Sequence, residues 1–455
     1  MNRKERRAAG KRRDAAGKNV PAFGSAGISI ADLAAEASRF YGMRRFNEAQ
    51  EVCRHILARE PSHAQSLNLL GLMAQAAGDH RSAVKAFAKA IAADDVNAAC
   101  HYNAGNSYQA LGNRAKAAAH FSKALALGMD AKAVGFILQS PTVTRYVGRI
   151  AGKWPLPVTS ADLFGGEGVA ALASDLFLRC AMEATTLAGM QLEVLLGHVR
   201  AELLRLAGEQ RRDGDDDDLI ALACALARQC FINEYVYGQT EAEAERAAAL
   251  RDRLLHDLAS NAAFTPLTLA VVAAYFPLHT LPAADALLRR EWPPTVAGLL
   301  RVQLREPREE MEERRAIVTL TPIRNDVSVE VMRQYEENPY PRWTVNPLTA
   351  FVADRARGKT AATAEQQAER DILIAGCGTG SHAIQIAQVC PNARLLAVDI
   401  SMTSLAYARR KTRELGLRNV EYAQADILEL GSIDRSFDSI ESVGVLHHLA
   451  EPMTG

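Results

Sequence analysis

Net charge is the first thing this chain lacks. In 455 residues, 53 Lys and Arg stand against 53 Asp and Glu, so no global field of one sign draws it to nucleic acid or to a membrane surface. Paired cysteines are missing too. Cys53, Cys100, Cys180, Cys224, Cys230, Cys377 and Cys390 are odd in number, scattered, and never spaced as Cys-x-x-Cys. That argues against disulfides and structural zinc, and for a reducing, cytoplasmic setting. The longest apolar run, Leu267 to Phe276, stops at Pro277 and is too short to span a bilayer, so it reads as a buried helix. The basic N-terminal stretch, MNRKERRAAGKRRDAAGK, is followed by no apolar segment and is therefore no secretory signal.

Internal repetition is what the chain does have. From Ile30 it repeats every 34 residues: Ala37, Gly71 and Gly105 share a register, as do Phe40, Ala74 and Tyr108. Ala49, Ala83 and Ala117 come next, then Cys53, Phe87 and Phe121, then Ile56, Ala90 and Ala124, with Pro61 closing the first unit. Small residues suit the close crossing of two helices, and an aromatic fills the gap beside them. This pattern resembles the tetratricopeptide repeat, whose units bury a continuous core only when about three are stacked. The resemblance implies a groove for a peptide or partner protein.

Beyond the repeats the chain reads as helical. Leu192, Leu195, Leu196, Val199, Leu203 and Leu206 make an amphipathic stripe. An acidic loop, RRDGDDDD (residues 211–218), precedes a helix from Leu219 to Tyr237 that is apolar nearly all round and should be central. Cys224 and Cys230 within it read as core residues. Glu306 to Arg315 (EPREEMEERR) reads as a solvated helix face. Tyr335 to Trp343 (YEENPYPRW) sets prolines beside aromatics and suggests a rigid extended segment, either folded over a ligand mouth, with Tyr340 and Trp343 as lid or substrate contacts, or simply packed against the domain. Its Asn-Pro-Tyr-Pro comes about thirty residues before the strand that opens at Asp371, so it is not the amide-holding motif found after a fourth strand.

The chemistry lies in DILIAGCGTGSHAIQIAQ, Asp371 to Gln388. A short apolar strand runs into Gly376-Cys377-Gly378-Thr379-Gly380 and then into a helix. Such a turn brings backbone close to a ligand and aims free N–H groups at it. A second strand ends in Asp399, nineteen residues past Gly380, where a carboxylate can accept from ribose hydroxyls. A helix from Met402 to Leu415 is stopped by Gly416, and a third strand ends at Ala425-Asp426-Ile427. Ser436 to Val443 then leads into Gly444-Val445-Leu446-His447-His448-Leu449.

These motifs, in this order, resemble the class I S-adenosylmethionine (SAM)-dependent methyltransferases. The resemblance assigns the loop to the amino-acid tail of the cofactor, Asp399 to the ribose and Asp426 to the adenine amino group. The cofactor-binding set is then Gly376, Cys377, Gly378, Gly380, Asp399, Ile400, Asp426 and Ile427, with no metal. The competing nicotinamide reading would prefer glycine where Ser381 stands. His447 and His448 are the candidates for a general base, with a structural or substrate-shaping role as the alternative, and the Gly-Val-Leu-His-His-Leu ending resembles enzymes acting on small molecules.

With the helical middle and YEENPYPRW, the whole is similar to bacterial proteins that join tetratricopeptide repeats, a helical insert and a methyltransferase domain. The expected organisation is a basic disordered tail (1–29), three repeats (30–129) and a helical insert (130–328). An extended segment and linker (329–370) leads to a Rossmann-like α/β methyltransferase domain (371–455). The resemblance implies seven strands and the chain supplies four, so a fragment or truncated product without turnover is expected. Two functions fit: a methyltransferase whose repeats recruit or present the acceptor, or a repeat scaffold carrying a partial, non-catalytic SAM-binding domain.

Overall fold

A computed structural model describes residues 28–165, 168–209, 217–337, 339, 341–345, 352, 363–449 and 451. The basic tail up to residue 27, most of the acidic loop at 211–218, and Tyr340 and residues 346–351 and 353–362 of the segment and linker therefore lie outside the described residues. The chain divides into two compact units, Met1–His120 and Phe121–Gly455.

The first unit is built from antiparallel helix pairs: α1 (Ile30–Gly42) with α2 (Phe46–Arg59), and α3 (Ala64–Ala76) with α4 (His80–Ala93). Then come α5 (Ala98–Ala110) and α6 (Arg114–Ala124), which runs across the unit boundary. The repeat register is physical. A Cβ on Gly71 would stand 2.4 Å from the Phe87 ring, so the small residue on α3 makes room for the aromatic on α4. Each turn in the two later pairs passes through a left-handed glycine, Gly78 (φ 76) and Gly112 (φ 72); in the first pair Arg44 takes that conformation (φ 56). Ser29, Asp79 and Asn97 cap α1, α4 and α5 by accepting a backbone N–H. A cap of that kind is worth about 1 kcal/mol.

The second unit begins as helices. In α7 (Met190–Gly208) the predicted leucine stripe is buried. The same helix buries Arg200, whose guanidinium lies 3.2 Å from Glu243 and 4.4 Å from the centre of the Tyr275 ring. Next, α8 (Asp217–Ile232) is buried on most of its surface, as its apolar circumference predicts, and Cys224 and Cys230 sit in that core. Burial pushes both thiols up to about 12, so they are inert core residues. The apolar run becomes α9 (Pro266–Ala273), buried throughout apart from its first residue. Among the described residues no helix is long and apolar enough to cross a membrane.

One expectation fails. Helix α10 (Glu306–Arg314), read as a solvated charged face, packs against the helix α13 (Met402–Glu414) of the sheet region. Glu310 is buried, and the fully buried Arg410 reaches both Glu306 (3.3 Å) and Glu310 (3.0 Å). Arg409 meets Glu313 at 2.8 Å and Arg413 meets Glu309 at 2.9 Å. Four of the glutamates that looked like a solvent face, Glu306, Glu309, Glu310 and Glu313, are met by arginines about a hundred positions later.

After α10 the chain makes β1 (Val318–Thr319), then α11 (Asp326–Glu337), β2 (Asp371–Ala375), α12 (Ser381–Val389) and β3 (Arg394–Asp399). Beyond α13 come β4 (Val420–Gln424) and β5 (Ser439–Glu441). All pair in parallel in the order β1-β4-β3-β2-β5. The strands from the glycine-loop region thus lie third, second, first, fourth, a Rossmann-like sheet of the expected kind. The fifth strand was not legible: β1 comes from the stretch read as helical and lines up Val318 with Ala423 and Thr319 with Gln424. Apolar clusters cover both faces of the sheet, one around Ile372, Leu395 and Leu405, the other around Leu373, Leu396 and Ala423.

Candidate functional site

Every strand of a parallel sheet ends its carboxyl edge on the same side, so the residues just past β2, β3, β4 and β5 converge. They line a cavity of about 360 Å³, a size in the range of small-molecule and cofactor sites. Gly376, Cys377, Gly378 and Thr379 come from the loop after β2, and Asp399 and Ile400 from the end of β3. Asp426 and Ile427 come after β4, Val443 to Val445 and His448 after β5, and α11 closes the other side with Val327, Ser328, Val331 and Tyr335.

The loop is glycine-rich for two different reasons. A Cβ on Gly380 (φ 82) would stand 2.5 Å from the Ala408 Cβ, so glycine there lets α12 begin hard against α13. Gly378 (φ 51) has nothing within 4 Å of its missing Cβ and opens on the cavity. Gly380 itself is not part of the lining; it supports the turn from behind.

Asp399 holds this turn. Its Oδ2 accepts from the Gly378 N–H at 2.8 Å and its Oδ1 from the Ser401 N–H at 2.9 Å. Burial raises its carboxyl above the usual range, while the Ser401, Gly378 and Ile400 amides pull it back down. Each oxygen keeps lone-pair capacity for a further donor.

Asp426 is buried more deeply. It is 1% exposed; its N–H donates to Thr321 Oγ1 at 2.8 Å and its Oδ1 accepts from the Leu428 N–H at 3.0 Å. Among the described residues its Oδ2 has no hydrogen-bond partner. A buried carboxylate oxygen left unpaired costs free energy unless something occupies the cavity beside it.

Over the loop lies the Pro341–Trp343 stretch. Thr379 Oγ1 donates to the Pro341 carbonyl at 2.8 Å, and Trp343 Nε1 donates to the Thr379 carbonyl at 3.0 Å. The Tyr407 hydroxyl donates to the Trp343 carbonyl. Glu336 caps the start of α13, accepting from Thr403 Oγ1 at 2.9 Å, and Ser401 Oγ donates to the Tyr335 carbonyl at 3.0 Å.

Of the two candidate bases, His448 lines the cavity and its Nε2 stands 3.5 Å from the Tyr335 hydroxyl. His447 lies beside it, tilted, at 4.1 Å between ring centres, and both residues are exposed. Sequence reasoning misses His382 on the first turn of α12. It lines the cavity and lies 2.7 Å from Glu441 at the end of β5. No local pattern marks that pair, because its members come from different elements 59 residues apart. Among the described residues, charge in the lining is acidic or histidine: Asp399 and Asp426 are there, and no Lys or Arg.

Similarity to known proteins divides along the same lines. Residues 64–97 and 98–130 each match the tetratricopeptide repeat, and residues 372–454 match a methyltransferase domain. An uncharacterized protein of Synechococcus sp. is 30% identical over 146 residues, 29% of this chain and 33% of that one. An uncharacterized protein of Rickettsia prowazekii is 31% identical over 115 residues, 25% of this chain and 20% of its own length. A probable (S)-tetrahydroprotoberberine N-methyltransferase of Papaver bracteatum is 32% identical over 78 residues, 17% of this chain and 22% of that protein. The matches thus span a fifth to a third of the length of these curated relatives. A crystal structure of coclaurine N-methyltransferase bound to N-methylheliamine and SAH is 16% identical, covering 55% of this chain and 56% of that one, with a TM-score of 0.17. The chain carries tetratricopeptide repeats in its N-terminal region and a methyltransferase domain near its C-terminal end.

Proposed function

We propose that this chain is a SAM-dependent methyltransferase whose repeats recruit or present the acceptor. The observation that carries the reading is that, among the described residues, Asp426 Oδ2 has no hydrogen-bond partner and the cavity is lined by carboxylates and by no Lys or Arg. A dinucleotide brings a pyrophosphate and calls for positive charge or a dedicated anion cradle. SAM brings a cationic sulfonium, an ammonium group and an adenine amino donor, which suit this lining.

In this reading Asp426 accepts from the adenine amino group, with Ile400 and Ile427 beside the ring. Asp399 accepts from the ribose hydroxyls while still bonding Gly378 and Ser401. The open face at Gly378, with Gly376 and Cys377, takes the amino-acid tail. Bound SAM supplies an electrophilic methyl group on a sulfur that leaves as a neutral thioether. What remains for the protein is alignment and exclusion of water. Helix α11 and the Pro341–Trp343 stretch cover the mouth, with Trp343 holding the cover to the loop through Thr379.

The repeats are assigned a protein or peptide partner. Their first helices carry side chains that bond from one repeat to the next, Asn103 to Asn68 at 3.1 Å and Gln75 to Ser107 at 3.1 Å, a polar framework suited to peptide backbone. The seven free thiols accord with a reducing, cytoplasmic setting.

Calorimetric titration of the chain with SAM and, separately, with NAD tests this reading. Binding of SAM, and a loss of about tenfold or more in Asp426→Asn, are expected. Binding of NAD without SAM would overturn it.

A further inference from the structure

His382 and Glu441 form a pair that the cofactor assignments leave unused. His382 Nε2 lies 2.7 Å from Glu441 Oε2, with side chains 30% and 33% exposed, and the ring lines the cavity. An ionised carboxylate only accepts, so Glu441 draws the ring proton to Nε2 and leaves Nδ1 with its lone pair. This is the arrangement in which a carboxylate orients an imidazole as a base.

Sheet order places the pair. Asp426 and Asp399 end β4 and β3, and β2 and β5 lie on the far side of β3. If adenine and ribose lie over β4 and β3, the sulfonium end of SAM lies over β2 and β5. Glu441 is in register with Ile374 of β2, and His382 opens the helix after β2. The pair therefore stands where methyl donor and acceptor meet.

Resting on the reading of the cavity given above, we propose that His382, oriented by Glu441, takes the proton of a hydroxyl or protonated-amine acceptor during methyl transfer. A protonated amine first gives its proton to Nδ1 of His382, which frees the nitrogen lone pair; a hydroxyl gives up its proton to Nδ1 as its oxygen attacks. The acceptor lone pair then forms the new bond to carbon while the carbon–sulfur bond breaks, its electron pair staying on sulfur, and the proton on His382 passes to solvent. The substrate class is thereby narrowed to oxygen or nitrogen nucleophiles with a proton to lose.

The test uses the full chain with S-adenosylhomocysteine as probe. In histidine ¹⁵N spectra, taken where the ring is neutral, His382 shows the Nε2–H tautomer, and Glu441→Gln weakens that preference. His382→Gln and His382→Asn keep their affinity for the probe within about twofold. Both lose roughly a hundredfold or more of tritium transfer from methyl-labelled SAM into a bacterial lysate. An Nδ1–H tautomer in the unaltered chain, or unchanged transfer in both histidine variants, would overturn the proposal. So would a loss of affinity beyond about tenfold, which would mean that the pair grips the cofactor tail instead. Failure of the unaltered chain to bind the probe is a different result and sinks the cofactor reading itself.

Discussion

Arg410, with no exposed side-chain surface, places its Nε 3.0 Å from Oε1 of Glu310, a residue one hundred positions earlier and itself 5% exposed. Glu310 is shared: Arg342, from the stretch over the glycine loop, reaches it at 3.4 Å while also meeting Glu234 at 3.2 Å. The ion cluster thus ties α10 and the turn after α8 to the helix α13 behind the cavity.

Removing one partner leaves a buried charge uncompensated. Arg410→Leu is expected to destabilise the second unit by roughly 3–5 kcal/mol. Arg413→Leu, whose Arg413–Glu309 pair is exposed, should cost under about 1 kcal/mol. Urea unfolding of both variants is the measurement; equal losses would show that the Arg410 cluster is not energetically buried.

In the repeats, Gly71→Ala drives a methyl group into the Phe87 ring and should cost about 1–3 kcal/mol. Gly42→Ala meets nothing within 4 Å and should be neutral or mildly stabilising. Thermal melts of the two variants decide the matter, and a neutral Gly71→Ala would refute the packing argument.

Trp343→Phe keeps a ring beside Tyr407 but loses the hydrogen bond to the Thr379 carbonyl. SAM affinity should fall about two- to tenfold, matching the ~0.5–1.5 kcal/mol of one such bond. Calorimetry provides the check, and unchanged affinity would remove the covering role.

Acid should weaken the fold. His120, His198 and His279 all have pKa values lowered first of all by burial. Their contribution is present above the unfolded value near pH 6.5, and it is lost as pH falls through the depressed folded values, because the unfolded chain then binds more protons. The buried carboxyls of Asp399 and Glu234, raised by burial, act in the opposite sense, their stabilisation lost as pH rises from the ordinary carboxylate range through the raised folded values. Urea midpoints at about pH 7.5 and about pH 5.5 should therefore differ less in His198→Gln and His279→Gln than in the unaltered chain. An identical pH response in all three would refute the histidine account.

What the sequence determined by itself is whatever repeats or alternates over a short span. The register Ala37, Gly71, Gly105, the leucine stripe from Leu192, the strands before Gly376 and Asp399, and the stop at Gly416 are set by local backbone geometry and one buried face. The acids at 399 and 426 were legible because strand ends in a parallel sheet must share an edge. Tertiary structure alone decided what depends on a distant partner. Val318 and Thr319 are too short a strand to carry a period, and only the open edge of β4 makes them one. Glu306 to Arg314 reads as a solvent face until α13 supplies arginines at matching positions. His382 acquires a role only when β5 brings Glu441 to its ring. Charge has no periodicity that names its partner, so pairs 59 to 104 residues apart are chosen by packing, which no short stretch of sequence encodes.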